Sequence, residues 1–224
     1  MTKSVLLAAA AVLALSGGAF AAPHASMTAG TNVKPPLPPI GHTPLKSLYS
    51  QNSSEGATAI DSQNFSSSFA QYDDQGADDF IVPKKKTWEI GEVDVTGEYY
   101  NGSGPATSEN VFFYKDASGI PGKPVASFMD VVGTDNAGSF TIVLPKKAKL
   151  KSGHYWVSVQ ANLGGVGAGG EWGWFLTSVQ HNDASEWQNQ GGGFGVCPTW
   201  GTTQSCVGYG PDFMFDLKGK AKKG

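Results

Sequence analysis

The chain contains no arginine: all sixteen of its basic residues are lysine. Lysine carries a compact, rotatable ammonium and lacks the planar fork that grips phosphates and guanine edges bidentately. Together with a net charge of −3, this removes nucleic acid from the natural partners. Histidine is scarce, and the stretch that reads as folded holds only His154 and His181. No Gly-x-Ser-x-Gly elbow, His-Glu-x-x-His helix or phosphate loop occurs, so the common hydrolase and nucleotide-binding signatures are missing. Outside the N-terminal segment no window sustains the 3.6-residue periodicity of a helix. The longest apolar run, Val5 to Leu15, is too short to cross a hydrocarbon layer of roughly 30 Å.

That run has another reading. Lys3 supplies a positive start, the apolar stretch follows, and Ala19-Phe20-Ala21 places small residues where a signal peptidase inspects them. The expectation is a secretory signal over residues 1–21, cleaved before Ala22, with no cysteine nearby to carry lipid. The protein is then expected outside the cell or in the periplasm, with no membrane span. Residues 22–47 read as a linker, because the four prolines of Lys34-Pro35-Pro36-Leu37-Pro38-Pro39 lock φ and remove backbone donors. Residues 48–217 read as one domain and 218–224 as a lysine-rich flexible tail.

Thirty glycines and thirteen prolines demand many turns, and six tryptophans exclude a disordered chain. A polar stretch, 50–71, holds at most one edge strand near Ala59 to Phe65. From Ala77 onward, short β-branched and aromatic runs alternate with turn chemistry. Phe80 to Val82 reads as a strand ended by Pro83. Trp88 to Tyr100 changes alternation phase at Gly91, as a β-bulge would make it. Further strands are expected at 111–115, 125–132, 139–144, 154–160, 172–179 and 213–217, with a turn at Lys151-Ser152-Gly153. About eight strands without intervening helices predict an all-β, antiparallel sandwich, jelly-roll-like or immunoglobulin-like.

Cys197 and Cys206 are the only cysteines. In an oxidising envelope they are expected to form a disulfide, closing a ten-residue loop and contributing about 2.5–3 kcal/mol on the chain-entropy model. A two-cysteine metal site would need further ligands, and His181 is distant in sequence.

Tyr72-Asp73-Asp74-Gln75-Gly76-Ala77-Asp78-Asp79-Phe80-Ile81-Val82-Pro83 resembles a group of bacterial secreted and surface proteins. The likeness continues through Trp88-Glu89-Ile90, Asp94 to Tyr100, Gly119-Ile120-Pro121-Gly122 and Leu150 to Val159, and ends near Gly210 to Phe215. It covers about the C-terminal two-thirds of the chain and implies a β-sandwich module at an extracellular address. It brings no catalytic residues. Many such proteins end in a membrane-sorting tail that this sequence lacks, which implies release.

Several constellations carry possible chemistry. Asp73, Asp74, Asp78 and Asp79 offer the hard oxygens that calcium needs. Their spacing is not that of an EF-hand, and a solvated turn is the competing reading. Alternation also sends Asp78 and Asp79 to opposite strand faces. Aromatics crowd the segment from Gly164 to Tyr209. Trp172, Trp174 and Leu176 share one strand face, the spacing of a core. Trp187 and Trp200 fall in loops and are candidates for a sugar-stacking platform, with Gln188, Asn189 and Tyr209 beside them. Packing on the disulfide is the alternative for Trp200. Glu89, Glu98 and Glu171 would make a glycosidase pair only if two came within roughly 5–10 Å. The lysines at 84–86, 146–151 and in the tail offer contacts for an anionic polymer or surface. Protection of strand edges is the preferred reading.

The leading functional expectation is a non-catalytic binding or surface-associated module for a glycan or matrix polymer. A structural or adhesive assembly protein and a polysaccharide hydrolase are the alternatives.

Overall fold

The computed structural model describes residues 45–164 and 169–224. The expected signal segment and residues 22–44 of the expected linker lie outside them. Fourteen strands occur among the described residues: β1 (Lys46–Ser50), β2 (Glu55–Asp61), β3 (Gln63–Asn64), β4 (Gln75–Val95), β5 (Gly97–Tyr100), β6 (Ser108–Asp116), β7 (Pro121–Val131), β8 (Thr134–Asn136), β9 (Ser139–Asn162), β10 (Glu171–Thr177), β11 (Glu186–Gln188), β12 (Gly201–Thr202), β13 (Asp212–Phe213) and β14 (Phe215–Lys223). The only helical pieces among these residues are a 3₁₀ turn, Ser67–Tyr72, and a short helix α1, Thr203–Val207. The architecture is the expected all-β sandwich. The larger sheet runs β1-β14-β4-β9-β6-β7, with β3, β8, β11 and β12 paired to its members, and the smaller runs β13-β10-β2, with β5 also on β10. Every pairing is antiparallel except β3 with β9.

The strand count exceeds the expectation because short pairings such as β3, β8 and β12 have too few residues to show a period of two. In the opposite sense, four expected strands are two. Pro83 does not end its strand, and Lys151-Ser152-Gly153 is not a turn: β4 and β9 pass through both places. Val82 pairs Gly153 and Thr87 pairs Lys151, so Pro83 to Lys86 bulge out against one residue of β9. Nearer the other end Ile90 pairs Ala148 and Glu92 pairs Val143, so Leu144 to Lys147 bulge from β9. Proline cannot donate to the ladder, but an extra loop of strand around it lets pairing resume. The expected bulge at Gly91 is present, since Gly91 is skipped against both β9 and β14. Opposite it, Gly219 lies so close to β4 that a Cβ there would stand 2.1 Å from the Glu89 carbonyl oxygen.

The linker and tail boundaries also differ from expectation. Lys46 and Ser47 already pair with Lys218 and Gly219, and β14 continues to Lys223 opposite Lys86. The lysine-rich segment is therefore sheet. Its alternation, with Leu217 and Gly219 inward, keeps it in register beside β4.

The core lies between the sheets. As expected, Trp172 and Trp174 of β10 are fully buried. Trp172 stacks on Phe140 at 5.0 Å and Trp174 on Phe213 at 4.6 Å. Each indole N–H finds a carbonyl, of Gly138 and Met214 respectively, both at 2.7 Å. Their polar atoms are thus satisfied while their rings fill the inter-sheet space.

Candidate functional site

The aromatic platform expected from Trp187 and Trp200 is not assembled. Trp187 sits in β11, between β4 and β12, and is only 2% exposed. Its indole donates to the Asp61 carbonyl at 2.8 Å. Gln188 is buried too, donating to Gln75 Oε1 at 2.9 Å; Gln75 in turn donates to the Tyr114 hydroxyl and Ser158. Asn189 clasps the 3₁₀ turn, donating to the carbonyls of Gln71 and Asp73 and accepting from Phe194 N–H. Trp187 and Gln188 serve the interior because a short strand drawn into a sheet surrenders both faces, and Asn189, just past its end, because its amide is spent on the 3₁₀ turn. Trp200 is half-buried, edge-on to Tyr114 at 5.8 Å. Tyr209 alone of the five is exposed. Phe194, on the loop Asn189 holds, is exposed beside Tyr72. Cys197 and Cys206 are bonded, as expected, with Cα atoms 5.7 Å apart.

The four aspartates expected as a calcium group do not converge either. Asp73 accepts from Phe65 N–H and the buried Asp74 from Gln63 N–H, so both reach back eight and eleven residues to fasten β3 rather than cap a solvated turn. Asp78 accepts from Asp79 N–H, Gln51 and Phe213 N–H. Asp79 faces the other way, as strand alternation requires, and meets His154. Burial drives the carboxyls of Asp74 and Asp78 well above the usual range and pushes Asp79 to about 6.

What forms instead is a corner where β4, β9 and β6 run side by side. Asp79 Oδ2, His154 Nε2 and Asp183 Oδ2 lie within 4.8 Å of one another. Asp183 belongs to the segment between β10 and β11, and its own N–H bonds Asp79 Oδ2 at 3.3 Å. On the other side of the ring, His154 Nδ1 stands 3.7 Å from Asp116 Oδ1. Asp116 accepts from Trp156 Nε1 and from Gly119 N–H, both at 3.0 Å. The sequence marks His154 only as one of two histidines in the folded stretch, at the start of an expected strand, and gives Asp116 and Asp183 no distinction. A ligand set drawn from three separated segments leaves no spacing to read. A companion pair stands nearby: Asp212, at about 6 through burial, accepts from the His181 N–H.

The three glutamates considered as hydrolase carboxylates fall in two places. Glu89 stands among lysines, while Glu98 and Glu171 lie on neighbouring strands, opposite Gly173 and Tyr100. Glu171 bears electrostatically on Asp61, whose carboxyl burial raises to about 8.

The lysine runs, distant in sequence, are brought together. Residues 84–86, 146–151 and 218–223 occupy adjacent stretches of β4, β9 and β14 and hold eleven of the sixteen lysines. With Trp88, Ile90, Ala148 and Leu150 turned to the core, Lys147, Lys149 and Lys222 rise on the opposite face around Glu89. The hydrogen bond from Lys222 chiefly holds the Glu89 carboxyl below its usual range. Lys218 bridges Glu92 and Asp94. Beside this face runs a groove of about 860 Å³ with Leu45, Leu48 and Ala221 in its walls and Lys46, Lys147, Lys220 and Lys222 along it.

No helix among the described residues is long and apolar enough to cross a membrane. Comparison with known proteins found no matching family model, no matching curated protein and no matching solved structure.

Proposed function

We propose that this chain is an exported, non-catalytic module that binds anionic polysaccharide of the extracellular matrix through its lysine face. The observation that carries the reading is the convergence of three lysine runs on adjacent strands of one sheet. A row of ammonium groups on a rigid sheet suits a polymer whose charges repeat along its length. Rotatable lysine stems adapt to carboxylate or sulfate groups without demanding one bidentate geometry. The apolar residues in the adjoining groove favour the face of a sugar ring, and the lysines along it favour the acid groups. The neutral-sugar reading has lost Trp187 to the interior and keeps only Tyr209, Phe194 and part of Trp200 at the surface.

Calorimetric titration of the purified protein with polygalacturonate and with neutral dextran tests the proposal. Binding is expected for the acidic polymer alone, weakening steeply as salt shortens the Debye length from roughly 10 Å at 0.1 M. The combined variant Lys149→Gln, Lys151→Gln, Lys220→Gln, Lys222→Gln should lose it, and Tyr209→Ala should not. Equal binding of dextran, or retention by the lysine variant, overturns the reading.

A further inference from the structure

The corner of Asp79, His154 and Asp183 has no part in the lysine face, and its composition is that of a metal site. We propose that these three side chains bind a dication of the zinc class. The donors are already gathered, with one nitrogen and two oxygens within 4.8 Å of one another. The two carboxylates present a charge that a dication neutralises.

The second observation is Asp79 itself. It is fully buried, and its Oδ1 has no hydrogen-bond partner among the described residues. An ionised carboxylate is costly to bury unless paired and fully hydrogen-bonded. Its bonded partners, the His154 ring and the Asp183 N–H, both meet Oδ2, and the other groups around it are acidic or phenolic. Asp116, Asp78, Asp212, Glu186 and Tyr49 stand around the corner, with His181 beyond Asp212. The lysine ion pairs among the described residues all go to Glu89, Glu92 and Asp94.

The donor set selects the ion. Calcium takes six to eight oxygens, whereas an imidazole with carboxylates suits zinc and its neighbours. Three protein ligands leave a position for water, the pattern of an open zinc site. The ion has an entry path, because the His154 and Asp183 side chains are 27% and 48% exposed. The rear of the ring is also prepared. With Nε2 committed to the metal, Nδ1 stands 3.7 Å from the Asp116 carboxylate, beyond a hydrogen bond but placed so that a small approach would complete the carboxylate–histidine–metal arrangement. Asp116 is held by Trp156, whose indole lies alongside the His154 ring at 6.1 Å.

Protein stripped by a chelator and titrated calorimetrically with zinc tests this, with cobalt as an absorption probe of the coordination. Wild type should bind a single zinc ion, show the visible bands of a nitrogen/oxygen cobalt complex, and give no heat with calcium. His154→Gln, which removes a ligand, should abolish zinc binding, and Asp116→Asn should weaken it about tenfold, within the span known for groups that support a metal site from behind its ligands. Asp183→Asn, at a half-exposed side chain, keeps the test decisive if the buried variants fail to fold. It should melt like wild type without zinc and lose the zinc-induced rise in melting temperature. The four-lysine variant should bind zinc normally, which separates this site from the polymer-binding proposal. Absence of zinc binding in wild type, or equal binding in Asp183→Asn, overturns the inference and leaves His154 as an ion-pair partner of Asp79.

Discussion

The lysine face and the acid–histidine corner stand on the same two strands, a short way apart along the β4–β9 ladder. Glu89 pairs with Lys149 in one, and Asp79 pairs with Trp156 in the other. Both carboxylates are on β4, yet their protonation moves in opposite directions. Glu89 is surrounded by ammonium groups that hold it below its usual range. Asp79 is taken out of water and rises to about 6. Glu89 is itself largely covered, but the lysines that cover it balance its charge and carry their own toward solvent. Charge enclosed without balance is retained where chemistry uses it. The strand supplies identical backbone to both, and the environment of each side chain decides between them.

The comparison breaks most easily in the core. Trp174 packs on Phe213, whose N–H bonds Asp78, so the inner face of β4 behind Asp79 rests on it. Trp174→Ala should cost about 3–5 kcal/mol in urea denaturation, and hydrogen exchange should rise at β13 and β10 before the lysine face. Simultaneous Cys197→Ser and Cys206→Ser should cost less, about 2.5–3 kcal/mol. The loss should appear as exchange at β11 and β12, with the outer part of β14 unaffected. Equal loosening of both regions in either variant would mean that they unfold as one unit.

The pH profile sharpens the contrast. Burial raises Asp61 to about 8 and Glu109 to about 7. A raised carboxyl costs the folded state nothing below its unfolded value and progressively more as pH climbs toward its folded value. Glu89 is the reverse: its contribution is present above the unfolded value and is lost as pH falls through its lower folded value. Melting temperature should therefore peak near about pH 5 and decline toward pH 8. Glu109→Gln should flatten the alkaline decline and spare the acid limb; an unchanged alkaline slope would remove Glu109 from the account. Smallest of all is the expected effect of Lys149→Gln with Lys151→Gln, within about 0.5 kcal/mol of wild type by thermal melting. A larger loss would give the lysine face a structural duty and weaken its assignment as a binding surface.

The class of fold was legible from local pattern. Alternation in Trp88 to Tyr100, with its change of phase, located the Gly91 bulge, and the spacing of Trp172, Trp174 and Leu176 marked the core face. The two cysteines and their expected compartment led directly to the bond between them. Where local chemistry pointed to an ending, at Pro83 and Lys151 to Gly153, it was overruled. A proline removes one donor, but a partner strand of matching length regains the ladder beyond it. The candidate site was less legible. Trp187, Gln188 and Asn189 have the composition of an exposed loop; pairing of β11 on both sides buried the first two, and bonds to the Gln71 and Asp73 carbonyls buried the third.

Residue order alone thus determined which segments extend, which faces turn inward and where the chain bulges, because those follow from side-chain period and backbone sterics over a few residues. Partnership was decided only by the tertiary structure. Lys86 beside Lys223, or Asp79 beside His154 and Asp183, are contacts across tens to more than a hundred residues, set by strand order and register. Strand order follows from burying both sheets at once, a property of the whole chain that no local stretch contains.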